Sequence, residues 1–134
     1  MEKLIIESTV NSPRIVLDPE VKKFEFSGES RPENVRNFYL PVLEWLEKYT
    51  SQQSDLDKLA RTRRLSCIFN FEYFNSTSAK YILDIFKSLN SLHSLGVELD
   101  IKWFYEEDDE DMLEVGEEMS RMSKLNFEYV ISDN

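Results

Sequence analysis

The chain has 134 residues, enough for one domain of the usual ~100–150, and its 41% hydrophobic and 31% charged residues suit a single buried core rather than a disordered segment. Sixteen Lys and Arg against 26 Asp and Glu give a formal charge of −10; residues 1–67 carry 11 of each sign, so the surplus lies wholly in residues 68–134, with 5 basic and 15 acidic. This balance disfavours nucleic acid, where affinity comes from neutralised phosphates, and an anionic membrane surface, and no run reaches the ~18 apolar residues of a membrane helix.

In chain order, Leu4–Glu7 is a short apolar run, and Met1–Glu7 shows no secretory signal. Arg14–Asp18 reads as a strand after Pro13, with Asp18-Pro19-Glu20 as a turn. Lys23–Ser27 alternates polar and apolar with period two, a half-buried strand that Gly28 is expected to close. Ser30-Arg31-Pro32-Glu33 has the spacing of a capping box, predicting a helix with Ser30 at its cap. The helix runs through Val35, Phe38, Tyr39, Val42, Leu46 and Tyr49, with Pro41 bending it or removing one hydrogen bond. Residues 50–64 are polar; they form a short helix around Leu56, Leu59 and Ala60, or a solvated connector. Lys58, Arg61, Arg63 and Arg64 make the only basic cluster there.

Leu65–Phe74 is the clearest strand, with Cys67, Phe69, Phe71 and Tyr73 on one side and Ser66, Ile68, Asn70, Glu72 and Phe74 on the other. A helix through Ala79, Ile82, Leu83, Phe86, Leu89 and Leu92 follows, ended by Gly96. Val97–Tyr105 is an alternating strand, Met112–Lys124 a helix with Met112, Val115, Met119 and Met122 inward, and Asn126–Ile131 a last strand. Residues 1–134 therefore read as one α/β domain with a mixed, mostly parallel sheet and helices packed on it, the first strands adding an antiparallel edge.

The junction Asn75-Ser76-Thr77-Ser78 joins a strand's carboxyl end to a helix start. Ligands and modifications gather at such places in α/β sheets, where unpaired helix N–H groups face outward. A phosphate on Ser76 or Thr77 is well tolerated there and adds about −1.5 to −2 charge to an exposed surface. The plainer alternative is an ordinary helix cap.

Five segments in order resemble the SiaC-type regulatory phosphoproteins, whose fold is similar to the STAS domain of anti-sigma-factor antagonists. They are Ser12-Pro13-Arg14-Ile15 with Asp18; Gly28-Glu29-Ser30-Arg31-Pro32-Glu33-Asn34; Trp45; Tyr73-Phe74-Asn75-Ser76-Thr77-Ser78 with Lys80 and Asp84-Ile85-Phe86; and Trp103-Phe104-Tyr105 with its acidic tract. The resemblance implies a single STAS-like, non-enzymatic, partner-switching domain. It is phosphorylated by a Ser/Thr protein kinase, dephosphorylated by a PP2C-type phosphatase, and when unphosphorylated binds and activates a diguanylate cyclase in c-di-GMP signalling. Ser76 takes the phosphoacceptor position, with Thr77 as alternate, and Asn75, Ser76, Thr77, Ser78 and Lys80 form the partner-binding segment. The alternative output is an anti-sigma kinase.

Other chemistry has less support. The acids Glu106–Asp111 lack the spacing of a calcium loop and read as a solvated stretch opening the next helix. A small metal-assisted enzyme using 106–111 is the rival from another class. Together with Glu114, Glu117 and Glu118 the tract can also steer a basic partner. His93, the single histidine, lies near a helix end, and Cys67, the single cysteine, falls on a buried strand face, suiting a reducing, cytoplasmic setting. No metal-binding Cys/His set or catalytic elbow appears, so neither metal, cofactor nor catalytic residue is expected.

Overall fold

The computed structural model describes residues 1–53 and 63–132. The expected short helix around Leu56, Leu59 and Ala60, and Lys58 and Arg61 of the basic cluster, lie outside the described residues. The elements are β1 (Leu4–Ile6), β2 (Arg14–Asp18), β3 (Lys23–Ser30), α1 (Val35–Gln52), β4 (Arg64–Phe74), α2 (Ser76–Ser94), β5 (Glu98–Tyr105), α3 (Glu110–Ser123) and β6 (Phe127–Ile131). They build one six-stranded sheet in the order β1-β2-β3-β4-β5-β6. The first two pairings are antiparallel and the last three parallel.

Because each crossover from β3 to β6 moves one strand along in the same direction, a right-handed chain places α1, α2 and α3 on one face of the sheet. Side-chain alternation follows. Ile15, Leu17, Phe24, Phe26, Leu65, Cys67, Phe69, Ile101 and Trp103 are buried under the helices. Glu25, Ser27, Ile68, Asn70, Lys102 and Phe104 on the opposite face are only half-buried. Under the helices, Phe69 stacks on Phe26 with ring centroids 4.5 Å apart and meets Phe86 at 4.4 Å. Trp103 donates its indole N–H to the carbonyl of Met112 at 3.0 Å, tying α3 to the sheet.

Four local expectations change. β3 does not close at Gly28 but continues to Ser30, Gly28 taking φ of 105°. There Gly28 pairs with Phe71 while Glu29 pairs with Tyr73, so β4 carries one extra residue, Glu72. That bulge reverses the alternation. Phe74 turns inward, packing edge-on to Phe71 (5.4 Å) and Trp103 (6.2 Å), and Tyr73 turns outward, 49% exposed. The cap of α1 is Asn34, which accepts from the Asn37 amide at 3.0 Å; Ser30 is fully buried at the end of β3. In α3 the buried stripe is Met112, Gly116, Met119 and Ser123, and Met122 is 53% exposed.

Pro41 is accommodated on the exposed side of a continuous α1. Arg63 and Arg64, from the expected basic cluster, are structural ties. The Arg63 guanidinium donates to the carbonyls of Gln53 (2.8 Å) and Leu95, and Arg64 faces Glu98 at 4.0 Å.

Candidate functional site

All parallel strands end on one side of the sheet, and the β4–α2 junction lies at that end. Asn75 is the N-cap of α2: its side chain accepts from the Ser78 amide at 2.8 Å. Ser76 and Thr77 are thus the first two helical residues, so the helix begins two residues earlier than the start near Ser78 expected from the sequence. Their amides belong to the unpaired first turn of the helix, where the macrodipole favours a negative group. Both side chains are exposed.

The structure separates the expected site residues. Ser76, Asn75 and Lys80 line a groove of about 530 Å³ between α2 and α3; Thr77 is exposed but does not line it. Ser78 is fully buried, so a partner cannot touch its side chain. Its hydroxyl is used internally, donating to the Ser30 carbonyl at 2.9 Å. Ser78 therefore supports the segment instead of presenting it. Lys80 is exposed, with its ammonium 4.7 Å from the centroid of the Tyr81 ring.

The groove is amphipathic. Ala79 and Leu83 form its α2 wall, Val115, Met119 and Met122 its α3 wall, and Phe74 closes the end at the sheet. Residues 76, 79, 80 and 83 share one helix face by their three- and four-residue spacing, as do 115, 118, 119 and 122. Two facing stripes of this kind leave room for a helix or strand with an apolar edge. Glu118 and Lys80 put one charge of each sign among the lining residues. Two methionines give an apolar surface that adapts to its occupant.

The α3 wall was not among the residues read as a site. Its signal was present but weak: small residues at Gly116 and Ser123 share the buried stripe with Met112 and Met119, which rotates Val115 and Met122 toward α2. The phase flip of Phe74 depends on the bulge at Glu72, which a single strand's pattern does not encode.

The other candidates occupy structural positions. Asp109 is the N-cap of α3, accepting from the Met112 amide at 3.0 Å, and Glu110 and Asp111 fill its first turn. Among the described residues no three His, Cys, Asp or Glu side chains converge as a metal would require. Burial pushes the Cys67 thiol far up from its ordinary value and keeps it protonated. His93 is exposed in the last turn of α2. Among the described residues no helix is long and apolar enough to cross a membrane.

Comparison with known proteins agrees with this architecture. A family model described as SiaC family regulatory phosphoprotein matches residues 6–132. A Pseudomonas aeruginosa protein without a characterised role is 27% identical over 118 residues, covering 88% of this chain and 87% of its own length. The crystal structure of apo-SiaC from P. aeruginosa superposes with a TM-score of 0.77 at 26% identity, covering 99% of this chain and 100% of that one. SiaC in the crystal structure of the diguanylate cyclase SiaD in complex with its activator SiaC, also from P. aeruginosa, gives 0.81 at 25% identity, covering 96% and 99%.

Proposed function

Since the chain belongs to the SiaC family of regulatory phosphoproteins, we propose that it is a non-enzymatic switch in which phosphate on Ser76 gates the binding of a protein partner to the groove between α2 and α3. The observation that carries this reading is the position of Ser76: exposed, in the unpaired first turn of α2, and on the wall of an apolar groove. A phosphoryl group there adds about −1.5 to −2 charge. The first-turn amides and Lys80, four residues on, stabilise that charge in the free protein. A docked partner with an apolar edge meets it as an uncompensated desolvation cost. Unphosphorylated Ser76 leaves the groove wall neutral.

By analogy with the P. aeruginosa complex, the partner is a diguanylate cyclase that the unphosphorylated protein activates. A Ser/Thr protein kinase and a PP2C-type phosphatase set the state of Ser76, in the cytoplasm. Thr77 is the alternate acceptor; it is exposed but off the groove, so phosphate there lies farther from a docked partner.

The test is affinity capture from the native cell with Ser76→Ala and Ser76→Asp baits, with phosphosite mapping of the parent protein. A cyclase recovered with Ser76→Ala and lost with Ser76→Asp, together with phosphate on Ser76, is the expected result. Phosphate found only elsewhere, or equal recovery by both baits, overturns the gating.

A further inference from the structure

The exposed pair Ser76–Thr77 is bracketed by two groups that bond to the same backbone oxygen. The Asn75 amide donates to the Ser30 carbonyl at 3.1 Å. The Ser78 hydroxyl donates to that carbonyl at 2.9 Å, across 48 residues of sequence. Behind this pinch lies a hydroxyl chain. Ser30 Oγ donates to Ser78 Oγ at 2.9 Å, and Tyr39 Oη lies 2.5 Å from Ser30 Oγ.

A hydroxyl has one hydrogen to give. That of Ser78 goes to the Ser30 carbonyl and that of Ser30 goes to Ser78 Oγ, so Tyr39 must be the donor to Ser30 Oγ. The order Tyr39 to Ser30 to Ser78 to the Ser30 carbonyl is then fixed. All three side chains are fully buried. Burial pushes the Tyr39 phenol up to about 12, keeping the proton at the head of the chain in place. The segment Gly28–Asn34 also gains a physical reading: Gly28 lies on β3 opposite the bulge at Glu72, Ser30 forms the relay and pinch, and Asn34 is the cap of the helix that supplies Tyr39.

We infer that Ser78 is a positioning residue, which acts through the Ser30 carbonyl to set the first turn of α2 so that its unpaired amides converge on the side chain at position 76, with Tyr39 bracing the arrangement from behind. Its regulatory meaning rests on the reading of Ser76 as the modified hydroxyl, but the geometry is testable without any kinase or partner.

A thiol reports the electrostatics of a helix N-terminus through its pKa, and a free cysteine titrates near ~8.5. In a Ser76→Cys protein the probe is the pH dependence of alkylation by iodoacetamide, Cys67 being buried and protected in the folded chain. The expected midpoint is about one pH unit below the free value. Adding Ser78→Ala returns most of that shift and speeds amide exchange of residues 75–79 while the rest of α2 stays protected. Tyr39→Phe, which leaves the pinch intact, returns less than half. Leu89→Ala, a cavity farther along α2, lowers Tm and leaves the midpoint in place. A midpoint near the free value in Ser76→Cys alone, no movement on Ser78→Ala, or an equal movement on Leu89→Ala overturns the inference. If partner binding ignored Ser76 while these shifts held, the gating reading alone would fall.

Discussion

Gly116 decides how closely α3 approaches the sheet. A Cβ there would lie 2.5 Å from the indole nitrogen of Trp103 and 2.6–2.8 Å from two ring carbons. Trp103 is 1% exposed and fixed by its bond to the Met112 carbonyl, so its ring has no free direction in which to yield. Gly116→Ala is expected to destabilise by about 1–3 kcal/mol, the usual range for overpacking, despite the better helix propensity of alanine. Urea unfolding checks this, and a stability equal to the parent would show that α3 can shift without cost. Tyr39 gives a pH signature. Its phenol is raised from 10.0 to about 12 in the folded chain, so the unfolded chain releases that proton first. The contribution of Tyr39 is fully present below pH ~10 and is lost as pH rises toward ~12, at most roughly 3 kcal/mol. The stability gap between the parent and Tyr39→Phe should therefore narrow across that window, as measured by Tm against pH. A constant gap would mean that Tyr39 ionises alike in both states.

The helix starts show what sequence patterns encode and what they omit. Ser30–Glu33 fits a capping box, yet Ser30 is held inside by Tyr39 and Ser78, and the next side chain of suitable type, Asn34, caps α1. Local pattern supplied the motif, and a contact with α2, 48 residues away, decided its use. Asn34→Ala is accordingly expected to cost about 1 kcal/mol in urea unfolding, whereas a cost near zero would return the capping role to Ser30. The strands were legible as far as period two held. In β4 it held from Leu65 to Phe71 and failed at Glu72, because the extra residue is defined by pairing with β3 and not by β4 itself. The strand–helix junction that carries Ser76 was legible because a strand followed at once by small polar residues and an apolar helix is a local pattern. The groove beside it could not, because its second wall comes from α3 and depends on how Gly116 and Ser123 let that helix rotate on the sheet.

At the scale of the whole molecule, the helices among the described residues lie on one face of the sheet, although parallel strands are commonly covered on both. Polar residues on the open side, including Glu25, Ser27, Asn70 and Lys102, make that arrangement tolerable in water. The acidic excess is lopsided along the chain, and a net charge of −10 strains a compact state through self-repulsion. Raising salt from ~10 mM to ~150 mM shortens the screening length from about 30 Å to about 8 Å. Tm should rise by a few degrees over that range, and a flat or falling Tm would mean that favourable ion pairs such as Arg14–Glu7 outweigh the repulsion. The acidic half also carries the groove; on the proposed gating, a partner meets an uncharged Ser76 in an anionic surround, and charge added at that one point opposes docking. The most direct measurement is calorimetric titration of the proposed cyclase partner with the parent, Ser76→Ala, Ser76→Asp and Thr77→Asp proteins, all of matching Tm. Ser76→Ala should bind like the unphosphorylated parent and Thr77→Asp within about two-fold of it, while Ser76→Asp should bind at least ten-fold more weakly, about 1.4 kcal/mol. Equal affinity of Ser76→Asp and the parent, or an equal loss from Thr77→Asp, would contradict a gate at Ser76.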